Sequence, residues 1–257
     1  MATTIELTAR NWATSSDNKI HDDEVAATFG FRGGLVPGVT LYGYLAECIL
    51  RDRGAGWLTG GTCSVRFGSP VYDGEPVSAV LDEDGSLTLI DLDGVACTTG
   101  TTDVPAQPRP VVADLPSEGL PLSRPPADEA SLAPGTVLGS IVSHPTRAVV
   151  EAYLDAIGLV DEVCGPLGLV HPAWLLLDAN DVLVANVRMG PWIHAGSTVT
   201  SYEPVALGTP LDVHASVTDH FERNGHRFTV LDVVSVADGM VVQRVEHTAI
   251  YRLRGSA

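Results

Sequence analysis

The residues best equipped for chemistry lie in two short stretches near the start of the chain: Ser16-Asp17-Asn18-Lys19-Ile20-His21-Asp22-Asp23-Glu24 and Gly33-Gly34-Leu35-Val36-Pro37-Gly38-Val39. A histidine and a carboxylate on one loop can divide proton transfer between them, with His21 as the central group and Asp17 in the acid role. Ser16 can hold a water or a substrate oxygen. Pro37-Gly38 leads into an apolar helical run, residues 39–50. The first N–H groups of a helix lack partners inside it and can receive developing negative charge. Gly38, with no side chain to block approach, is the natural donor. These groups suit proton transfer beside a carbonyl whose enolate oxygen is held at the helix start. A plainer reading stands beside this one. His21 caps a short surface helix, and Asp22, Asp23 and Glu24 form a solvated first turn that suits the helix dipole.

A third stretch, Gly190-Pro191-Trp192-Ile193-His194-Ala195-Gly196, offers an aromatic ring and an imidazole to a pocket wall. Alternatively, Trp192 caps the core and His194 is a satisfied loop residue. His171, in Val170-His171-Pro172, reads as structural. His214, His220, His226 and His247 fall on strand or hairpin stretches and read as mostly solvent-facing. The sequence has no glycine-rich phosphate loop, no G-x-S-x-G elbow and no Cys/His spacing for zinc, so no cofactor or metal is expected.

The elements that must position these groups come in two copies. Pro70-Val71-Tyr72-Asp73-Gly74-Glu75-Pro76-Val77 and Pro204-Val205-Ala206-Leu207-Gly208-Thr209-Pro210-Leu211 both read P-V-x-x-G-x-P-apolar, at an offset of 134 residues (204 − 70). The same offset places Gly34-Leu35-Val36 on Gly168-Leu169-Val170, each leading into an apolar helical stretch, residues 39–50 and 173–184. A repeat of this kind fixes the fold before any local detail does. Each half predicts a short strand, a short polar helix (residues 22–29 and 146–157), a mostly apolar helix, and then alternating strands. These strands fall at residues 62–67, 76–81, 86–92 and 95–102, and again at 197–202, 211–219, 226–237 and 240–252. Asp93-Gly94, Asn224-Gly225 and Asp238-Gly239 are hairpin turns, as is Asp82-Glu83-Asp84-Gly85. Hairpin-linked strands make antiparallel sheets, and an apolar helix needs such a surface to bury against. Residues 104–135 hold eight of the seventeen prolines and no helical or strand period, so they predict a surface linker between units 1–103 and 136–257.

Bulk properties narrow the partners. The formal charge of −17 argues against nucleic acid. The same field repels anionic coenzyme A and acyl carrier proteins and favours a small or neutral ligand, unless Arg51 and Arg53 offset it locally. No apolar run is long enough to cross a membrane, and the N-terminus has no basic start or apolar core of a signal peptide. Cys48, Cys63, Cys97 and Cys164 form no C-x-x-C pair and read as small buried hydrophobes of a cytoplasmic protein.

The Asn18-x-x-His21 spacing, the turn Gly33-Gly34-Leu35-Val36-Pro37-Gly38 and the P-V-x-x-G element resemble the MaoC-like hydratase and dehydratase group. The resemblance covers nearly the whole chain, as two fused hotdogs. It implies an α+β tandem double hotdog, two antiparallel sheets each wrapped round a central helix. It implies lyase chemistry on an acyl thioester, with His21 catalytic, Asn18 at the substrate and Gly38 as oxyanion donor. The chain departs from the group's G-D-x-N-P-L-H pattern: Ser16 stands where the catalytic Asp would be, Lys19 where the Pro would be, and the nearest acid is Asp17. That departure extends the expectation to a related oxygen addition or cyclisation on a specialised metabolite. A hotdog thioesterase and a binding protein with a decayed site remain as alternatives. The substrate is a small molecule or an acyl thioester, free or on coenzyme A or a carrier, and a homodimer of double hotdogs stays open. The second half lacks the Asn-x-x-His motif, so one working site is expected.

Overall fold

The computed structural model describes residues 2–255. Met1, Ser256 and Ala257, at the ends of the two expected units, lie outside the described residues. The elements run β1 (Thr3–Thr8), α1 (Asp23–Thr28), α2 (Gly38–Arg53), β2 (Thr62–Phe67), β3 (Pro76–Leu81), β4 (Ser86–Asp91) and β5 (Ala96–Thr102). The second half repeats them as β6 (Val137–Ser143), α3 (Arg147–Ala156), α4 (Cys164–Leu167), α5 (Pro172–Asn186), β7 (Ile193–Ser201), β8 (Leu211–Arg223), β9 (His226–Ala237) and β10 (Met240–Arg252). The short helix α4 has no partner in the first half. The long hairpins close through Asn224-Gly225 and Asp238-Gly239, where all four residues take positive φ, the backbone that a tight two-residue turn demands.

The sheets differ from expectation in one respect. They are not two but one continuous ten-stranded antiparallel sheet, in the order β1-β3-β4-β5-β2-β7-β10-β9-β8-β6. The joint is β2 against β7, and it explains the symmetry of that order. Ser64 pairs with Thr198, its own counterpart at the 134-residue offset, and their hydroxyls meet at 3.1 Å. A pseudo-twofold axis therefore passes through this pair. The offset recurs in the backbone: Leu35 bridges Tyr72 as Leu169 bridges Ala206, and Val36 N–H bonds Val71 O as Val170 N–H bonds Val205 O.

The central helices α2 and α5 lie side by side, each packed on strands of its own half. Burial of twelve residues of α2, Val39 to Leu50 without a break, accounts for its apolar composition. One polar residue among them, Glu47, accepts from Arg51 Nε at 2.8 Å and lies 3.3 Å from His171 Nε2 at the head of α5. Burial alone would raise the Glu47 carboxyl, but its bonds to His171 and Arg51 outweigh this and hold it below the usual range. The proline-rich segment, residues 104–135, is mostly exposed and covers part of the sheet. Leu115 packs on Val234, Val236 and Val241, and Arg109 bonds Val241 O.

Candidate active site

The two halves diverge between their first strand and first helix. In the first half, residues 9–22 form a loop ending in a 3-10 turn, Lys19–His21; in the second, only residues 144–146 separate β6 from α3. The loop is built on itself. Asn18 caps the turn by accepting from Ile20 N–H, and Asp22 caps α1 by accepting from Val25 N–H. Asp23 accepts from Gly34 N–H at 2.7 Å, and Asn11 Nδ2 donates to His21 O at 2.9 Å. The returning strand passes so close that a Cβ at Gly34 would lie 2.1 Å from His21 O, which excludes any other residue there.

His21 is thereby fixed at both ring nitrogens. Nδ1 donates to Leu35 O at 2.6 Å, since a carbonyl can only accept. Nε2 is left as the basic atom, and its lone pair accepts from Asn18 Nδ2 at 3.2 Å. Burial lowers the imidazole below its ordinary pKa, against the opposing pull of the Leu35 carbonyl, so His21 is neutral at pH 7 with its lone pair on Nε2.

Asn18 also ties the halves together. Its Nδ2 donates to Trp192 O at 3.0 Å, and its Oδ1 accepts from Trp192 N–H at 3.1 Å. This paired contact leaves one orientation for the amide. It brings the loop of one half, the helix start of the same half and the Trp192 segment of the other half to one place.

Two adjoining cavities meet there, sharing Asn18, His21, Pro37, Asn180 and Trp192. The inner one, about 240 Å³, is largely apolar, with Phe31, Leu41, Phe67, Ile250 and Leu253 in its wall. The outer one, about 440 Å³, is more polar and includes Ser16, Asp17, Arg124, Asp181 and Arg188.

Gly38 stands at the inner cavity, where α2 begins. Its N-cap, Pro37, makes no side-chain cap, so the first N–H groups of α2 are uncapped. A Cβ at position 38 would meet Phe67 Cε2 at 3.0 Å and His194 Nδ1 at 3.1 Å. His194 reaches this place through a β-bulge. Gly196 pairs with Thr248 and His194 with Ala249, leaving Ala195 unpaired, and such a bulge re-aims the side chains beside it. Behind His194, Nε2 lies 2.8 Å from Ser197 Oγ, which in turn lies 3.3 Å from His247 Nδ1. Desolvation drives both histidines toward the neutral form, His194 well below its ordinary value and His247 down to about 3.

Of the residues singled out from sequence, His21, Asn18, Gly38, Trp192 and His194 converge on the inner cavity. Ser16 and Asp17 line the outer one. Ser16 donates to Asn18 O, and Asp17 is exposed and is not a hydrogen-bond partner of either His21 nitrogen. Two expectations need correction. His247 is not solvent-facing but fully buried, because it sits on the inward face of β10 with Val245, Ala249 and Tyr251. Arg51 and Arg53 do not offset the field near the site. They lie at the far end of α2, engaged by Glu47 and Glu162 and by Asp103. The arginines at the site are Arg124 and Arg188 instead. Asn180 and Asp181 escaped notice, although Asp178-Ala179-Asn180-Asp181 interrupts an otherwise apolar helix. Asn180 Oδ1 is buried without a partner at the junction of the cavities. Asp181 reaches solvent at the outer cavity, yet its surroundings push its carboxyl up to about 6.

No family model matches the sequence, and no curated protein does. Solved structures do. A MaoC domain protein of Chloroflexus aurantiacus J-10-fl, assigned as a dehydratase, matches with a TM-score of 0.68 at 12% identity, over 98% of this chain and 96% of that one. RV0216 of Mycobacterium tuberculosis, which has a double hotdog fold, gives 0.62 at 13% over 97% and 95%. A Lactobacillus plantarum protein assigned as an oleoyl thioesterase gives 0.54 at 11% over 100% and 96%. At such identities the likeness is one of fold: the chain is an α+β double hotdog, an architecture its neighbours use for MaoC-like dehydratases and for thioesterases.

Proposed function

We propose that this chain is a lyase of the MaoC-like type. It adds water to or removes water from an enoyl thioester, or carries out a related oxygen addition or ring closure on a specialised metabolite. The observation that carries this reading is the neutral His21, its Nε2 the only basic ring atom left, at the junction of two cavities beside the uncapped start of α2. In the dehydration direction, Nε2 exchanges its contact with Asn18 Nδ2 for the proton from the carbon next to the carbonyl. The enolate oxygen accepts from Gly38 N–H. The C–O bond then breaks, the hydroxyl leaves with the proton held on Nε2, and His21 returns to its neutral form. Ser16 and Asp17 hold the departing or attacking water in the outer cavity. The inner cavity has room for roughly eight water-sized groups, which suits a short apolar chain. The polar end of the substrate, including a thioester carrier, faces the arginines of the outer one.

Crotonyl-coenzyme A and butyryl-coenzyme A test this directly. Hydration of the first alone supports the lyase. Free thiol from either supports a thioesterase, in which Asp17 or Asp181 would orient the water. If neither substrate changes, the chain is a metabolite enzyme or a binder. His21→Ala is expected to fold normally and to lose at least about 10²-fold in turnover, the usual contribution of a positioned acid–base group. Unchanged turnover removes His21 from the mechanism.

A further inference from the structure

We propose that Asn180, on the central helix of the second half, holds the oxygen that is added or removed. Its side-chain amide binds the hydroxyl or water at the junction of the two cavities, where His21 also stands. This rests on the lyase reading for the reaction step, but not for the binding of a hydroxyl group.

Helix α5 carries four Asp or Asn residues: Asp178, Asn180, Asp181 and Asn186. Two of them serve the fold. Asn186 is buried and meets Gly139 N–H, Gly139 O and Val182 O. Asp178 is buried and bonded to Ser143. Asp181 reaches solvent. Asn180 does none of these things. It is half-buried, and its amide has no hydrogen-bond partner among the described residues. Its Oδ1 is cut off from solvent, while Nδ2 is not among the buried unpartnered atoms and keeps accessible surface. Asparagine is also a poor residue for the middle of a helix. The first half has Ala46 at the equivalent place (180 − 134 = 46), fully buried. Neither helix propensity nor packing nor hydrogen bonding calls for an amide at position 180, and such local exceptions are expected at functional sites.

Its placement says what the amide meets. Leu177, Asn180, Asp181 and Val184 follow the i, i+3, i+4, i+7 spacing of one helix face, and all four line the outer cavity. Of α5, Asn180 alone also lines the inner cavity. The five residues shared by the cavities leave few groups for a ligand. Pro37 has no polar side-chain atom, and the Trp192 indole N–H is buried. Asn18 is committed to Ile20 and Trp192, and His21 is the base. Asn180 is the amide left. A hydroxyl or a water both donates and accepts, so it suits either end of an amide. The enolate oxygen can only accept and is assigned to Gly38 N–H. During dehydration the amide keeps its own protons. The C–O bond breaks, His21 Nε2 returns the proton it took, and the water formed passes to the outer cavity. During hydration the amide fixes the attacking water for the reverse step.

Binding tests this without turnover. Butyryl-coenzyme A and the two enantiomers of 3-hydroxybutyryl-coenzyme A differ by one oxygen, and the His21→Ala variant is expected to bind them without reacting. Adding Asn180→Leu keeps the size of the side chain and removes the amide. By calorimetry it is expected to weaken one hydroxy enantiomer about fivefold and to leave butyryl-coenzyme A within about twofold. Equal weakening or none overturns the proposal, as does failure of every ligand to bind. With His21 restored, Asn180→Leu is expected to lower kcat on crotonyl-coenzyme A about tenfold with KM within about twofold, since that substrate has no hydroxyl to hold and only the water is misplaced. An unchanged kcat, or a loss carried by KM, overturns it. Asn180→Ala should behave in the same way. Neither variant should lower the thermal midpoint, because the amide bonds to nothing in the protein, and a lowered midpoint in both makes Asn180 a structural residue and overturns the proposal. The failures are distinct: selective loss of the hydroxy ligand with no hydration by the wild type sinks the lyase reading and leaves Asn180 as the hydroxyl ligand, while hydration with equal losses does the reverse.

Discussion

The two central helices occupy equivalent places in the repeat, yet they begin in opposite ways. At α2, Pro37 precedes Gly38 and no side chain caps the first turn. At α5, the same two positions are His171 and Pro172 (171 − 37 = 134). Proline has no N–H to offer, and His171 Nδ1 accepts from Ala173 N–H at 3.1 Å. The first helix thus leaves its donors free, while the second has none at its first residue and a satisfied one at the next. The loops obey the same contrast, since residues 9–22 carry His21 to the open helix start while residues 144–146 are too short to carry anything to the closed one. On the function proposed above, the first half would hold the site while the second closes the core and supplies a wall.

If that contrast is what separates site from scaffold, the first half can be made to look like the second. Gly38→Pro imitates Pro172: it removes the N–H and keeps a residue suited to a first helical position. Gly38→Ala adds a Cβ against Phe67 and His194 but keeps the N–H. We expect Gly38→Pro to lower kcat on a hydrated thioester about 10³-fold, and Gly38→Ala by clearly less. Circular dichroism should show both folded. Equal losses in steady-state assays would mean that crowding, not the donor, explains the effect, and the comparison of helix starts would fail.

The second contrast is in charge. Besides His171, the second half buries His194 and His247, and both are held neutral. A histidine whose folded pKa is depressed contributes its full stability above the unfolded value near 6.5. That stability is lost as pH falls below it, because the unfolded chain then binds the extra proton. The loss is about 1.4 kcal/mol per pH unit for one such group, so His247 alone accounts for about 2–3 kcal/mol between pH 6.5 and 4.5. Glu47, held low, adds its own loss only below about 4.5. Urea unfolding across pH 7 to 4.5 should therefore show a decline, and His247→Gln should make it shallower while His194 still contributes. A flat wild-type profile would mean that these histidines are not held neutral.

Much of this was legible in the residues, and for a physical reason. P-V-x-x-G and the Asp-Gly and Asn-Gly turns act through the local backbone, so they survive as pattern, and the 134-residue offset reappears as bridges, hydrogen bonds and the Ser64–Thr198 pair. Asn18 and His21 were legible because both sit on one loop. The merging of two sheets into one was not, because β2 and β7 are separate in sequence and their pairing depends on how the halves dock. His194 was legible as a pocket candidate beside Trp192, but its burial was not, because the bulge at Ala195 breaks the alternation from which a strand's facing is read. His247 was not hidden at all, since it alternates with Val245, Ala249 and Tyr251 and its polar character masked the pattern. The exposure of Asp17 shows the limit of reasoning from spacing: four residues from His21 in the chain, it still reaches neither ring nitrogen.

The smallest expected effect dissects the closed helix start itself. His171 does two things, capping Ala173 through Nδ1 and meeting Glu47 through Nε2 at 3.3 Å, and both groups are fully buried. Removing the ring in His171→Ala abolishes the cap, worth about 1 kcal/mol. It also leaves the Glu47 carboxylate with fewer donors to offset its burial, at a further cost of about 1 kcal/mol. His171→Asn restores a strong N-cap residue but cannot reach Glu47, so it should recover about half of the roughly 2 kcal/mol. Thermal or urea unfolding distinguishes the two contributions. Neither variant should change kcat, because the open start of α2 and the atoms of His21 are untouched. A kcat loss in His171→Asn would mean that the closed end of the molecule is coupled to the open one through Glu47, and that the division between site and scaffold is less sharp than the helix starts suggest.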